Sequence, residues 1–170
     1  MKAIQNAWAA LVLLVLSLSG SIANAEVTLF AQGAWYVTSD ERNGVTNCSA
    51  VTRNARPQWF GLTGWDDGLA AILIVDPSWN LRRREVDFVI SIDGSNWDVT
   101  GNASGERVAI EFRPTDTTSA FLDDIASGYQ LTVLNEDRQS VAAFSLSGSR
   151  AAIGAFFACW ADLGQSSDPF

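Results

Sequence analysis

Ser147 and Ser149 lie in the stretch FSLSGSRAAIGAFFACW (residues 144–160), where a strand, a small-residue turn and a helix are expected to follow one another. A catalytic serine in such a turn needs a base to take its proton, and histidine is the usual one. The chain has no histidine, and its only lysine is Lys2. No glycine stands two residues before Ser147, as a G-x-S-x-G motif requires. We therefore interpret the turn as structural, with Ser147 or Ser149 capping the helix and Gly148 permitting the bend.

Carboxylates are the remaining side chains that could carry out chemistry. Three pairs stand close together in the sequence: Asp66-Asp67, Asp93 with Asp98, and Asp123-Asp124. A carboxylate pair can hydrolyse a glycosidic bond, and the same groups can bind Ca²⁺. The alternative is that each pair forms a turn or a solvated helix face. Without histidine and with two cysteines no conventional zinc site can be assembled, and we predict no catalytic residue, metal site or cofactor.

Aromatic side chains beside the first of these pairs indicate a binding surface. Trp59, Phe60 and Trp65 lie in a glycine-broken segment that runs directly into Asp66. Exposed aromatic rings next to a carboxylate can stack on sugar rings or anchor a protein interface. The alternative, that these rings fill the core of a small sandwich, stays open. We take Trp59, Phe60, Trp65 and Asp66 as the candidate surface for a protein or a glycan.

The first 25 residues read as a secretory signal. Lys2 gives a positive start, residues 9–18 are a short apolar run, and Ala23-Asn24-Ala25 is a cleavage site of the A-x-A type. An uncleaved membrane anchor is the alternative, but the apolar run is short for a membrane span. We therefore predict a periplasmic or secreted protein with no integral membrane span after cleavage.

Removing 25 of the 170 residues leaves 145, enough for one domain, which we place at 26–164 with a flexible tail at 165–170. Cleavage removes one of the 11 basic residues and none of the 19 acidic ones, so the net charge changes from −8 to −9. The one basic run, Arg82-Arg83-Arg84, is followed at once by Glu85 and Asp87. Nucleic acid is therefore not expected as a partner.

Cys48 and Cys159 are the two cysteines of the chain. An even number of cysteines in an exported protein favours a disulfide. This link would close a loop of about 110 residues and, in the chain-entropy model, add roughly 4–5 kcal/mol of stability. Two buried free thiols are the alternative.

Short β-branched and aromatic segments, separated by Gly, Asn, Asp and Pro, predict strands. The alternating run 86–92 followed by Asp93-Gly94-Ser95-Asn96 predicts a hairpin. The continuous apolar run 69–75 predicts a strand buried on both faces. We assign Trp35 and Trp97, on strands, to the core. Further strands are expected over 34–38, 48–53, 58–65, 108–112, 129–134 and 141–146.

Two segments have helical periodicity. One covers 118–127, with Ser119 as its N-cap and Gly128 as its end, and the other runs from the turn at Gly148 to about Leu163, closed by Gly164. The predicted fold is mainly β and β-sandwich-like, with two short helices, the second of them C-terminal, and one disulfide.

The order of these segments resembles a known family. Gly33-Ala34-Trp35-Tyr36-Val37 is similar to the G-D-W-x-V start of the invasion-associated locus B family of exported proteobacterial proteins. A Phe121-Leu122 helix followed by a strand, and Phe144-Ser145-Leu146-Ser147-Gly148 before the last helix, follow the same order. Ala34 replaces the usual Asp, and no cysteine closely follows Val37. The resemblance implies an exported, non-enzymatic, β-sandwich-like domain that contacts an envelope component or a host surface, and it transfers no catalytic residue.

Overall fold

The computed structural model describes residues 26–113 and 115–163. The predicted signal at 1–25, Gly164 and the predicted tail lie outside the described residues. The strands are β1 (Val27–Gln32), β2 (Trp35–Arg42), β3 (Val45–Arg53), β4 (Trp59–Trp65), β5 (Ala70–Val75), β6 (Leu81–Ile92), β7 (Ser95–Gly105), β8 (Arg107–Phe112), β9 (Gln130–Leu134) and β10 (Ser140–Ser145). The helices are α1 (Asp116–Ser127) and α2 (Ser149–Leu163). The predicted mainly β fold with two helices, the second after the last strand, is confirmed.

The strands form one continuous antiparallel sheet in the order β1-β2-β3-β4-β5-β8-β7-β6-β9-β10. Tight turns at Asn43-Gly44 and Asp93-Gly94 join β2 to β3 and β6 to β7, and all four residues have positive φ. Such turns match the right-handed twist of the paired strands. The second of these hairpins is the one that the sequence predicts. The first is longer than predicted, because polar residues such as Asp40 and Asn47 pair across it where the sequence indicated a loop.

Among the strands that the structure describes, β10 pairs in the ladder with β9 alone, and its other edge faces β2 and β3 across the roll of the sheet. Ser145 O accepts hydrogen bonds from Trp35 Nε1 (3.1 Å) and Thr52 Oγ1 (3.3 Å). Two residues further on, Ser147 O accepts from the backbone N–H of Ala34 (2.9 Å). Side chains of β2 and β3 therefore bind a strand that lies at the opposite edge of the sheet.

The same edge of β10 is bound by the segment between β3 and β4. Asn54 Nδ2 donates to Ala143 O (3.2 Å), and Gln58 Nε2 donates to Val141 O (3.4 Å). Alternate carbonyls along the edge of β10 thus meet side-chain donors in place of a strand partner. We call the contacts of the four donor side chains with these carbonyls the seam. The seam closes the rolled sheet around its core. The four donors are Trp35, Thr52, Asn54 and Gln58.

The turns at the two sides of the seam pass in close contact. Gly33, between β1 and β2, has positive φ, and a Cβ at this position would collide with Ser147 O. Gly148, between β10 and α2, also has positive φ, and a Cβ there would collide with Gln32 O. The predicted role of Gly148 in the bend is confirmed, and the close contact between the two turns is a second reason for glycine at both positions.

Alternation along each strand places one set of side chains inside the roll. The predicted assignment of Trp35 to the core is confirmed, because this side chain is 1% exposed. Trp97 is half-buried and packs edge-on against Phe121 of α1, with ring centroids 5.2 Å apart. Phe144 and Leu146 point inward and Ser145 is exposed. The largest fully buried side chains are Trp35, Phe60, Phe144, Phe156, Leu62 and Ile74.

The two helices close one end of the rolled sheet. The predicted disulfide is present: Cys159 of α2 is bonded to Cys48 of β3, with the Cα atoms 6.0 Å apart. Trp160 covers Gly64 of β4, where a Cβ would lie 2.7 Å from the indole ring. Within 26–113 and 115–163, neither helix has the length and apolar character needed to cross a membrane.

Two predicted caps differ from the structure. The N-cap of α1 is Thr115, whose side chain accepts from Thr118 N (3.2 Å), so the prediction of Ser119 is wrong and the helix begins earlier. Its predicted end at Gly128 is confirmed. Ser149, one of the two residues predicted to cap α2, is instead the first residue of that helix, and its hydroxyl donates to Ile125 O in α1 (2.8 Å) and thereby joins the two helices.

Replacing both Cys48 and Cys159 by serine should lower the free energy of unfolding by roughly 4–5 kcal/mol, because the bond closes a long loop of the unfolded chain. Urea denaturation of the two proteins measures the difference. Ala158→Ser, an exposed change on the same helix, should alter stability by no more than about 0.5 kcal/mol. Two free thiols in the denatured, unreduced protein would contradict the bond.

Thr52→Val removes one donor of the seam and keeps the shape of a fully buried side chain. We expect a loss of about 1 kcal/mol in the free energy of unfolding, because the donor to Ser145 O disappears. Thr132→Val, on half-buried β9, serves as the matched control and should change stability much less. Equal effects of the two substitutions in urea denaturation would show that the seam bond contributes nothing of its own.

Candidate functional site

Trp59 and Trp65 lie on the same face of β4, since they are six positions apart in a strand of period two. This face is the outside of the rolled sheet, and both side chains are half-buried. The prediction that Phe60 shares this surface is wrong. Phe60 points inward, is 0% exposed, and packs between Trp35 and Phe144, with ring centroids 6.3 Å and 5.9 Å away. Because side chains alternate between the two faces of a strand, Phe60 lies on the opposite face from Trp59 and Trp65.

The two tryptophans stand in a groove of about 540 Å³ on the outer face of β2 to β5. We call it the outer groove. Cross-strand register sets Arg53 of β3 opposite Trp59, and Asn47 of β3 opposite Trp65. Gly61, which lies on this face between the tryptophans, has no side chain, and a Cβ there would lie 2.6 Å from the carbonyl oxygen of Ala50 and 3.1 Å from Val51 Cγ2. The lining also includes Tyr36, Thr38, Ser49, Thr63 and Leu73.

Hydroxyl and amide groups form the polar part of the groove. Ser49 Oγ and Thr63 Oγ1 are 3.0 Å apart, and Ser49 Oγ also lies 3.2 Å from Asn47 Oδ1, to which it donates. Asn47 Nδ2 in turn donates to Asp40 O (3.2 Å). Hydroxyls can both donate and accept, so this row can exchange hydrogen bonds with a hydroxyl-rich ligand.

The charges that line the outer groove balance. Arg53 and Arg107 are basic, and Glu26 and Asp40 are acidic. The guanidinium of Arg53 lies 5.5 Å from the ring centroid of Tyr36, which fixes the arginine against the wall by a cation–π contact. The groove is thus electrically neutral in a chain with a net charge of −8, and it favours a ligand without net charge.

Asp66 lies outside the lining of the outer groove. It is exposed in the turn after β4, directly beyond Trp65. This turn is held by its neighbours: Asp67 Oδ1 accepts from Leu69 N (2.9 Å), and Trp65 O accepts from Trp160 Nε1 (2.9 Å). Asp66 therefore stands at the end of the aromatic face, and Asp67 has a structural role in the turn.

Three carboxylates of the other two acidic pairs have structural partners. Asp93 accepts from the backbone N–H groups of residues 129–130, at 2.8 Å and 3.0 Å. Asp98 forms an exposed ion pair with Arg138, with 3.4 Å between Oδ1 and the guanidinium. Asp124 accepts the indole N–H of a tryptophan in β7 at 3.0 Å. In the part of the chain that the structure describes, no three His, Cys, Asp or Glu side chains are grouped to hold a metal ion.

A buried carboxylate was missed in the sequence. Asp76, directly after β5, is 7% exposed. Its Oδ2 accepts from Gln58 Nε2 (2.7 Å), and its Oδ1 accepts from Ser78 N (2.8 Å) and Ser78 Oγ (2.6 Å). The amide group of Gln58 also reaches Val141 O, so Asp76 supports the seam. The D-P-S spacing indicates a turn, but no local pattern connects it to Gln58.

The hydrogen bonds to Asp76 favour its charged form. Those from Ser78 contribute most and, with the bond from Gln58, hold the pKa of the Asp76 carboxyl below its usual value although burial opposes the shift. Arg56 adds a smaller attraction in the same direction. The site is therefore a structural anchor that works as a carboxylate.

Asp76→Asn should flatten the dependence of stability on pH in acid. Because the pKa of Asp76 is lowered in the folded state, its contribution to the free energy of unfolding is fully present above the unfolded pKa of ~3.9. This contribution disappears as the pH falls through the folded pKa. Urea unfolding at pH values from about 5 down to about 2.5 measures the slope. Asp123→Asn, an exposed change on α1, should keep the wild-type slope, and an unchanged slope in Asp76→Asn would contradict the assignment.

Comparisons of the chain with protein-family models, with curated proteins and with solved structures find no match. The resemblance to the invasion-associated locus B family therefore stays a prediction from the residues quoted above. Function has to be inferred from the geometry of the outer groove and from the composition of the chain.

Proposed function

We propose that the protein is an exported binding module that holds a neutral glycan in the outer groove. The support is the position of Trp59 and Trp65 on one outward face of one strand, about 20 Å apart at the rise of an extended chain. Ser49, Thr63 and Asn47 place hydroxyl and amide groups toward the Trp65 end of this face. Aromatic rings at both ends and a row of polar groups beside one of them suit an extended chain of sugar units.

A glycan fits this surface better than a protein does. The core of a protein interface is depleted in charge and rich in apolar contacts. The outer groove instead carries a hydroxyl row in its floor and a balanced set of two arginines and two carboxylates. A sugar chain offers apolar faces for the half-buried rings of Trp59 and Trp65 and hydroxyls for the floor.

Export and the absence of catalysis belong to the same proposal. They are supported by the signal predicted at 1–25, by the resemblance to the invasion-associated locus B family, and by the lack of histidine and lysine after Lys2. A chain without these bases has no conventional partner for a nucleophilic serine. The proposed ligand is a neutral glycan of the bacterial envelope or of a host surface.

Trp59→Ala and Trp65→Ala should each weaken glycan binding at least about tenfold, since each removes a ring that stacks on the ligand. A panel of neutral glycans, titrated by calorimetry against the purified protein, measures the affinity. Tyr129→Ala is the control: Tyr129 is 84% exposed and lies outside the outer groove. The Tyr129→Ala protein should bind the glycan with the affinity of the wild type and should give the same unfolding curve as the wild type.

Binding that survives both tryptophan changes would refute the outer groove as the site, and so would failure of every neutral glycan to bind. The alternative hypothesis is an Asp-pair glycosidase at Asp66. Release of new reducing ends from the glycan, abolished by Asp66→Asn, would establish that alternative. We expect no release from the wild type and unchanged binding in Asp66→Asn.

A further inference from the structure

A second cavity opens at the end of the rolled sheet away from the helices. It has a volume of about 370 Å³ and lies between the C-terminal ends of β5 and β9 and the N-terminal parts of β6 and β10. Leu81, Leu134 and Val141 mark these strand ends in its wall. Helix α2, by contrast, is fixed near Cys48 of β3 and Gly64 of β4, a cross-strand pair that lies toward the other end of the rolled sheet. We call this cavity the open-end pocket.

The open-end pocket enters the hydrophobic core. Its floor consists of buried side chains, and its wall continues with half-buried apolar ones, among them Trp79. An apolar cavity of about 150 Å³ is enough to bind benzene, so a pocket of this size takes an apolar body of roughly ten to twelve carbons. The volume also lies within the range of about 300–1,000 Å³ typical of ligand sites. The floor residues are Ile74, Phe88, Ala103, Val108 and Val133.

The mouth of the pocket is charged and predominantly negative. Glu136 and Asp137 bring two carboxylates to the rim, and Arg84 brings one guanidinium. Asp87 turns its carboxylate to the other face of β6, where it accepts from Thr100 Oγ1 (2.6 Å). The formal balance of one negative charge attracts a cation and repels an anion, and the apolar walls strengthen this preference by excluding water. The mouth therefore differs from the outer groove, whose charges cancel.

We propose that the open-end pocket binds a small cationic amphiphile. Its apolar body of about ten carbons fills the space above Phe88 and Val108, and its amine lies beside the carboxylates of Glu136 and Asp137. This is a second site, separate from the outer groove and independent of the glycan proposal. The two differ in ligand class as well as in place, because one lies outside the rolled sheet and the other enters its interior.

Three probes with the same ten-carbon chain test the proposal: decylamine, decanol and decanoate. Each is titrated below its micelle concentration into the purified protein, and binding is followed by calorimetry and by the NMR signals of the floor residues. The chain is constant, so differences in affinity report the head group alone. We expect decylamine to bind tightest, decanol less tightly and decanoate least.

Two variants locate the site. Ala103→Leu places three more carbons in the floor of the pocket and should abolish binding of all three probes. Ala109→Leu is the matched control, because Ala109 lies on the neighbouring strand opposite the exposed Asn102 and faces away from the pocket. It should bind like the wild type, and so should Trp59→Ala, in which only the outer groove changes.

The double change Glu136→Gln with Asp137→Asn decides the role of charge. Both residues are exposed, so the fold should persist even if Ala103→Leu fails to fold. We expect decylamine to bind several-fold more weakly to this variant, as for exposed ion pairs, and decanol to bind unchanged. Absence of saturable binding by every probe would overturn the pocket as a site. Equal affinity for the three probes, or tightest binding of decanoate, would overturn the assignment of a cationic ligand.

Discussion

The fold depends on how the free edge of β10 is satisfied. An open sheet leaves a row of unpaired backbone groups along its last strand, and such an edge invites pairing with other chains. Here the row meets side chains: Trp35, Thr52, Asn54 and Gln58 donate to alternate carbonyls of β10. The sheet is therefore closed by a line of side chains rather than by a further backbone ladder. That closure brings its two halves around one core.

Both candidate sites follow from this closure. Rolling the sheet gives every strand an inner and an outer face, and β4 shows the separation most clearly: Phe60 belongs to the core while Trp59 belongs to the outer groove. Helices α1 and α2 cover one end of the roll, and the other end keeps an entrance into the apolar interior. Asp76 stands beside that entrance, where its bond to Gln58 ties the end of β5 to the seam.

Features with a local cause were predictable from the sequence. The Asp93-Gly94 hairpin, the buried apolar strand β5, the end of α1 at Gly128 and the disulfide each depend on a short pattern or on a count. The predicted tryptophan face was found on one strand because its two members have even spacing. Phe60 was grouped with them by proximity in sequence, although its odd spacing placed it on the opposite face.

Features with a distant cause were not predictable. Strand β1 is largely exposed and is defined by its pairing with β2, so its composition carries little signal. The donors of the seam reach carbonyls 83 to 110 residues away, and a carbonyl has no sequence signature. The burial of Asp76 likewise depends on Gln58, which is 18 residues earlier. The sequence contains both members of each of these contacts, but no local pattern shows that they come together.

The close contact between the turns at Gly33 and Gly148 has a consequence for the order of folding. The hairpins β2–β3 and β4–β5 join near neighbours and can form early, whereas closure needs residues that the chain supplies last. Loop-closure entropy delays such distant contacts until much of the sheet exists. The turn before α2 therefore forms late. Until it packs against the turn between β1 and β2, β10 has an exposed edge and Cys159 has no fixed partner.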